Sequence, residues 1–342
     1  MAARSRATSS SSTDDELRPP PCPPRPLQRG AALLLAMLIL TLVASAAAAM
    51  VWAQQRAVEL QAAERVRAQA GWILLGAQDW ARLMLRSDAG RAFPPSAGWA
   101  RTLEESRLSQ FLGAGGNDGS GSGGGSGEDA LEVFLSGEID DAQARYNLRR
   151  LVADEGQPVA AEVAALRRLC AAAGAEAELA DRLAAGLAAA WHARAPEAPL
   201  APQRVEQLAW LGLDAVGLQA ITPYVTILPT RTALNANTAA APALLAAIDG
   251  LELPDAQRIV QTLQRSPAAS AAALRELLPT GTSLDEARVG VGSSHFEVRA
   301  RLRWEDQRLE EAWLLERRGV GAGAQVRVLR SERRSLLPGT TG

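Results

Sequence analysis

The sequence predicts an α+β fold: one long N-terminal helix packed on a small antiparallel sheet, with a large all-α domain inserted between the strands. Three observations carry that expectation. An uncharged apolar block, residues 31–52, continues without a proline into an amphipathic helical pattern. Residues 295–304 alternate apolar and polar side chains, the period of a strand with one wet face. Between these two regions lies a long alanine-rich stretch whose apolar positions recur at helical spacing.

Taken in order, residues 1–30 are a polar, proline-rich leader ending in Arg25, Arg29 and Gly30. At 1.5 Å per residue the block 31–52 spans about 33 Å, enough for a hydrocarbon core of about 30 Å. Cationic side chains precede it, so the positive-inside rule puts the N-terminus in the cytoplasm and the bulk of the chain outside. The apolar run is too long for the core of an ordinary secretory signal. It passes directly into Val58, Leu60, Val66, Trp72, Leu74, Trp80 and Leu83. A single helix from Ala31 to about Leu85 would be roughly 80 Å long, with residues 31–53 in lipid.

A short helical piece is expected over residues 99–112, followed by a Gly/Ser run at 113–127 that reads as a flexible loop. Residues 131–141 suggest a strand pair, or a strand and turn. Helical periodicity dominates from about Val159 to Leu278, with Leu166, Leu169, Leu179, Leu183 and Leu187 among its apolar positions. Asn237 or Thr238 is a suitable N-cap for a helix holding Leu244, Leu245 and Ile248. The C-terminal strands are expected at 295–304, 308–317 and 326–329, with a turn at 305–307.

Three passages resemble the minor pseudopilin K family of bacterial type II secretion systems. The first is Gln28-Arg29-Gly30-Ala31-Ala32-Leu33-Leu34-Leu35, similar to a prepilin leader junction. The second is Gly137 through Leu148, which carries an acidic residue, a Gln, an Arg, an aromatic and an Asn before a leucine. Ala144 stands where glycine is usual, and Arg149 and Arg150 where asparagines are common. The third runs from Ile221 to Ala239: a Tyr-Val-Thr run, Leu-Pro, then Asn235-Ala236-Asn237-Thr238-Ala239.

The resemblance implies a pilin-like fold and a set of expectations. A peptidase would cut between Gly30 and Ala31 and the new amine would be methylated. The fifth residue after the cut, usually a glutamate that pairs with a neighbouring subunit, is Leu35, which suits the tip of a short periplasmic filament. Partners would be minor pseudopilins of the I and J types, the major pseudopilin, the prepilin peptidase and the inner membrane. The chain would divide into a leader (1–30), a transmembrane half-helix (31–53), a periplasmic half-helix with the first part of the α/β domain (54–147), an inserted helical domain (148–290), C-terminal strands (291–332) and a flexible tail (333–342). The family also implies calcium as the one cofactor. Glu138, Asp140 and Asp141 are hard oxygen donors suited to it, and they read equally as an exposed acidic turn.

Other chemistries find less in the residues. The net charge of −2 supplies no basic field for nucleic acid. A DNA-handling alternative rests on a helix-hairpin-helix pattern around Asp249-Gly250-Leu251-Glu252-Leu253-Pro254, but the hairpin has one glycine and places Glu252 where a phosphate would approach. The only histidines are His192 and His295, and neither has a partner at metal-ligand spacing. Cys170 and His192 could be paired as nucleophile and base, though a cysteine in an apolar helical pattern reads first as a small core residue. No enzyme activity is expected, and with Cys22 lost in the leader Cys170 has no disulfide partner.

Overall fold

In a computed structural model of the chain the described residues are 29–88, 103–108, 132–192, 198–304, 307–319 and 321–336. They fall into two compact units, Met1–Val66 and Arg67–Gly342. Helix α1 (Arg29–Ser87) runs unbroken through that boundary, as its lack of proline and its run of leucine and alanine predict.

In the first unit every residue from Ala31 to Arg65 is exposed. A helix that is apolar all round has its complement in lipid rather than water. This one is long and apolar enough to cross a membrane, with a mean hydropathy of 2.5 in its most apolar window. Thr41 and Ser45 each donate their hydroxyl to the carbonyl of the residue three earlier, at 3.0 Å, so neither leaves a bare polar group in hydrocarbon. At the end of the block Arg56 lies 5.5 Å from the ring of Trp52, an aromatic–cation pair of the kind that sits at a lipid–water boundary.

The second unit is built on a five-stranded antiparallel sheet. Its strands are β1 (Leu103–Arg107), β2 (Val133–Asp141), β7 (His295–Trp304), β8 (Gln307–Arg318) and β9 (Gln325–Leu336), adjacent in that order. One face is apolar: Leu135, Ile139, Phe296, Val298, Leu302, Trp313 and Leu315 are all buried. Onto it the last six turns of α1 lay Ala70, Leu74, Ala81 and Leu85, a spacing of four, seven and four that keeps one stripe inward. Burying a leucine such as Leu74 or Leu85 contributes about 1.5–3 kcal/mol. Arg82 closes the seam by donating to the Val326 carbonyl, and Arg317 donates to the Leu85 carbonyl at 3.0 Å. The other face carries arginine and glutamate in register: Glu138 opposite Arg299, and Arg301 opposite Glu310, each pair closed at 2.6 Å.

Between β2 and β7 the chain leaves the sheet for residues 142–294. The helices there are α2 (Ala160–Ala172), α3 (Glu178–His192), α4 (Ala215–Ile221), α5 (Ala241–Ala247), α6 (Leu253–Arg265) and α7 (Ala271–Glu276), with a 3-10 helix at Val205–Leu211. They bury two cores. One centres on Leu148, Leu166, Leu169, Leu183, Leu187 and Ile221, the other on Leu244, Ile248, Ile259, Leu263 and Leu274.

Several expectations need correction. The insert is not purely helical: β3 (Tyr146–Asn147) pairs in parallel with β4 (Val225–Thr226), and β5 (Leu234–Asn235) with β6 (Val289–Gly290). The first ladder ties the start of the insert to its middle, and the second ties the middle to its end. In place of a helical piece over 99–112, Leu103–Arg107 is an edge strand, because pairing with β2 satisfies a row of backbone groups that would otherwise be open. Residues 133–141 form one strand with no hairpin. The strand expected at 326–329 continues to Leu336, past the boundary placed at 332, since β8 offers pairing along its whole length. Neither Asn237 nor Thr238 caps α5; the cap residue is Ala240, Pro242 sits in the first turn, and both polar side chains are engaged elsewhere. The Gly/Ser run 113–127 and the turn residues Glu305 and Asp306 lie outside the described residues.

Candidate functional site

Two regions bring together what the sequence singles out. In the first unit, Gly30 and Ala31 lie in the first turns of α1, and Leu35 projects from its side, 60% exposed. No charged side chain occurs from Ala31 to Gln55, so Leu35 lies in a continuous apolar surface. The leader residues 1–28, Cys22 among them, lie outside the described residues.

The second region is the junction of insert and sheet, where residues from two of the singled-out passages meet. β2 ends at Asp141, whose buried carboxylate accepts four hydrogen bonds. Its Oδ1 takes the Gln143 backbone N–H at 2.8 Å, capping the 3-10 turn Ala142–Ala144. Its Oδ2 takes the Asn235 amide at 2.7 Å and the hydroxyls of Thr238 and Ser293, both at 2.6 Å. Gln143 extends the knot: its amide donates to the Ala233 carbonyl at 2.8 Å, and its Oε1 accepts from the Ser294 N–H at 2.6 Å. Asn147 caps the next 3-10 turn and clamps residues 228–232 through the Leu228 N–H, the Thr230 carbonyl and Thr232 Oγ1. Asn237 holds Ala268 by both its carbonyl and its N–H, and also reaches the Val291 carbonyl. Arg317 links this knot to α1 by donating to the Ser293 carbonyl at 2.9 Å as well as to Leu85. Asp141, Gln143, Asn147, Asn235, Asn237, Ser293 and Arg317 are buried and partnered, and that fixes how the insert leaves the sheet.

A second buried network joins the two cores of the insert. Tyr146 donates its hydroxyl to Glu162 at 2.5 Å, and Glu162 also receives Arg150 at 3.0 Å and Arg288. Burial, then the neighbouring Glu162 carboxylate, hold the Tyr146 phenol well above its ordinary range. Arg288 reaches Asp249 at 2.9 Å, and Asp249 also receives Arg168 at 2.6 Å. Arg150, at a position where the resemblance leads one to expect asparagine, is therefore part of a core ion network. Sequence reasoning missed Glu162, Arg288, Ser293 and Arg317. The one signal for them was charged or polar side chains in apolar surroundings.

The turn between α5 and α6 bears on the nucleic-acid alternative. Gly250 adopts a left-handed φ of +80°, but Asp249 and Glu252 bracket it, and the arginines at the turn, Arg168 and Arg288, are neutralised by Asp249. A phosphate would meet carboxylates there.

Glu138, Asp140 and Asp141 do not form a ligand set. Strand alternation puts Asp141 on the face opposite to the other two, and its oxygens are taken by the junction. Glu138 and Asp140 both face Arg299, at 2.6 and 3.5 Å. Among the described residues no three His, Cys, Asp or Glu side chains converge as metal ligands. These residues therefore do not fit calcium. Cys170 is fully buried in the first insert core, and burial pushes its thiol up to about 11, the reverse of an activated nucleophile. His192 is exposed at the end of α3, its ring against Gly156.

Comparison with known proteins agrees with this geometry. The family model described as "Type II secretion system (T2SS), protein K" matches residues 144–230, which include Asn147 of the junction and most of the first helical core of the insert. No curated protein matches the chain. Among solved structures, a chain of the crystal structure of the GspK-GspI-GspJ complex from the enterotoxigenic Escherichia coli type 2 secretion system superposes with a TM-score of 0.51. At 17% identity the match covers 80% of this chain and 98% of that one. The likeness is one of fold.

Proposed function

We propose that this chain, whose residues 144–230 match the type II secretion system protein K model and whose fold is that of the GspK-GspI-GspJ structure, is a minor pseudopilin that starts a short periplasmic filament and stays at its tip. The observation that carries the proposal is the side chain at position 35. A helix apolar enough to span a membrane presents leucine there, where a following subunit would need a carboxylate to meet the N-terminal amine of the subunit above. Burying an unpaired charge at membrane depth costs about 2.5–3.5 kcal/mol or more. A subunit that neither offers nor needs the pairing is free to lead.

The remaining assignments follow from the same reading. The leader is removed between Gly30 and Ala31 by a prepilin peptidase, the new amine is methylated, and α1 anchors the protein once in the inner membrane with its C-terminal unit in the periplasm. Its partners are minor pseudopilins of the I and J types and the major pseudopilin. The insert crowns the head sterically, and the buried junction at Asp141 keeps that crown in a fixed orientation. The protein acts by assembly, and no catalytic step is assigned to it.

Intact mass and N-terminal sequencing of the membrane-extracted protein test the processing step. A chain that begins at an N-methylated Ala31 is the expected result. A mature protein retaining Met1, or beginning elsewhere, overturns it.

A further inference from the structure

Where the insert meets the charged face of the sheet there is an open-sided cavity of about 380 Å³. Its floor is apolar, with Trp191, Leu228, Leu314 and Leu329, and Arg149 and Arg330 contribute to its wall. Consecutive residues of a regular strand point to opposite faces, so Leu329 and Arg330 would not ordinarily share a cavity. They do because β9 bulges there: Leu314 faces Arg330 while Leu315 faces Val328, which leaves Leu329 as the additional residue. Bulges of this kind re-aim side chains. This one delivers a bulky apolar group and a cation to the same place.

The two arginines differ from their neighbours. Around the adjoining cavity Arg145, Arg204, Arg299, Arg301 and Arg334 each have a carboxylate within ion-pair distance. Among the described residues Arg149 and Arg330 have none. Arg330 donates to the Gln203 carbonyl at 2.6 Å, and Arg149 stacks over the Trp191 ring at 4.5 Å. Burial lowers the Arg330 guanidinium from its ordinary range. Glu297, Glu206 and Glu332 act on it only from longer range, and Arg204 opposes them. A half-buried guanidinium without a counterion, beside an apolar hollow, is complementary to a carboxylate held next to an apolar group.

We propose that this cavity docks an acidic–apolar segment of a partner protein, taking a bulky apolar side chain against Trp191, Pro229 and Leu329, over the buried Leu228 and Leu314, and pairing the adjacent carboxylate with Arg330, with Arg149 as a second cation at the edge. An extended protein segment suits the hollow better than a free small acid, because the cavity stays open along one side and a small ligand would keep much of its surface in water. This inference stands apart from the filament reading and does not depend on where the subunit sits.

The test uses the full chain in lipid nanodiscs with two capped peptides as probes, acetyl-Gly-Leu-Glu-Gly-amide and its Gln counterpart. The indole N–H resonance of Trp191, which faces the Pro202 carbonyl at 3.4 Å, is the readout. The expected result is a saturable shift with the Glu peptide and at least a tenfold weaker affinity for the Gln peptide. Arg330→Gln should abolish that preference while leaving Gln-peptide binding unchanged, which shows that the cavity is intact. Arg149→Gln, at the edge, should reduce the preference severalfold. Equal affinity for the two peptides, no response at Trp191, or acetate alone competing as well as the Glu peptide would each overturn the proposal.

Discussion

Replacing Asp141 by alanine withdraws the acceptor on which the insert–sheet junction converges. Four donors point at its two oxygens, from Gln143, Asn235, Thr238 and Ser293. Two of them keep another partner after the change: the Asn235 amide still reaches Ser293 Oγ at 3.0 Å, and the Thr238 hydroxyl turns to the Asn235 carbonyl at 3.4 Å. The Gln143 N–H and the Ser293 hydroxyl are left without an acceptor in a buried place. At about 1–3 kcal/mol for each of the two orphaned donors, the Gln143 N–H being also the lost cap, the expected cost is about 2–6 kcal/mol. For a unit of this size that lowers Tm by roughly 10 °C. Asp141→Asn keeps one oxygen and the shape, and should cost about half as much. Thermal unfolding followed by near-UV circular dichroism measures both, and hydrogen exchange at Asn235 to Ala239 localises the loss. A Tm for Asp141→Ala within 2 °C of the parent, about 1 kcal/mol or less, would refute the view that the junction is held by this carboxylate.

The buried His295 gives a pH signature. Burial holds its imidazole below the ordinary range, with Glu316 and Asp141 pulling it up and Arg318 and Arg327 pushing it down. The unfolded chain therefore binds the proton more readily, so stability is full above about pH 6.5 and falls as the pH drops through the range below it. Urea midpoints measured between pH 7.5 and 5.5 should decline in the parent and flatten in His295→Gln. That window lies above the range where Glu297, Glu316 and Glu332, all held below the usual carboxylate range, begin to lose their own contributions. Gly156 supplies a steric test. It adopts φ +87° and an added Cβ would sit 2.8 Å from the His192 ring, whereas Gly174, at φ +77°, has nothing within 4 Å of that position. Gly174→Ala should cost about 1 kcal/mol of backbone strain and Gly156→Ala at least about 2 kcal/mol, read from the same urea curves.

Much of this architecture was legible because periodicity is local. The unbroken α1, the alternating strand at His295–Trp304 and the helical spacing of the insert follow from side-chain order alone. Edge strand β1 was not legible. Leu103–Arg107 has no strand pattern of its own and is extended only because β2 stands beside it. The two-residue ladders β3–β4 and β5–β6 are likewise products of long-range closure. For the junction, the passages were visible but their physics was not. Asn237 and Thr238 looked like caps from their place before a helix, yet their partners are Ala268, Val291 and Asp141, all distant in sequence. The acidic trio failed as a ligand set for a reason the sequence did hold, since strand alternation alone separates Asp141 from Asp140.

The most direct measurement is secretion and filament initiation in cells carrying Leu35→Glu in the full-length chain. A carboxylate at that position asks for an amine partner that a leading subunit does not have, so the expected result is a marked fall in both, with the protein still processed and membrane-bound. Secretion and filament number equal to those of the parent would contradict the assignment of this subunit to the tip.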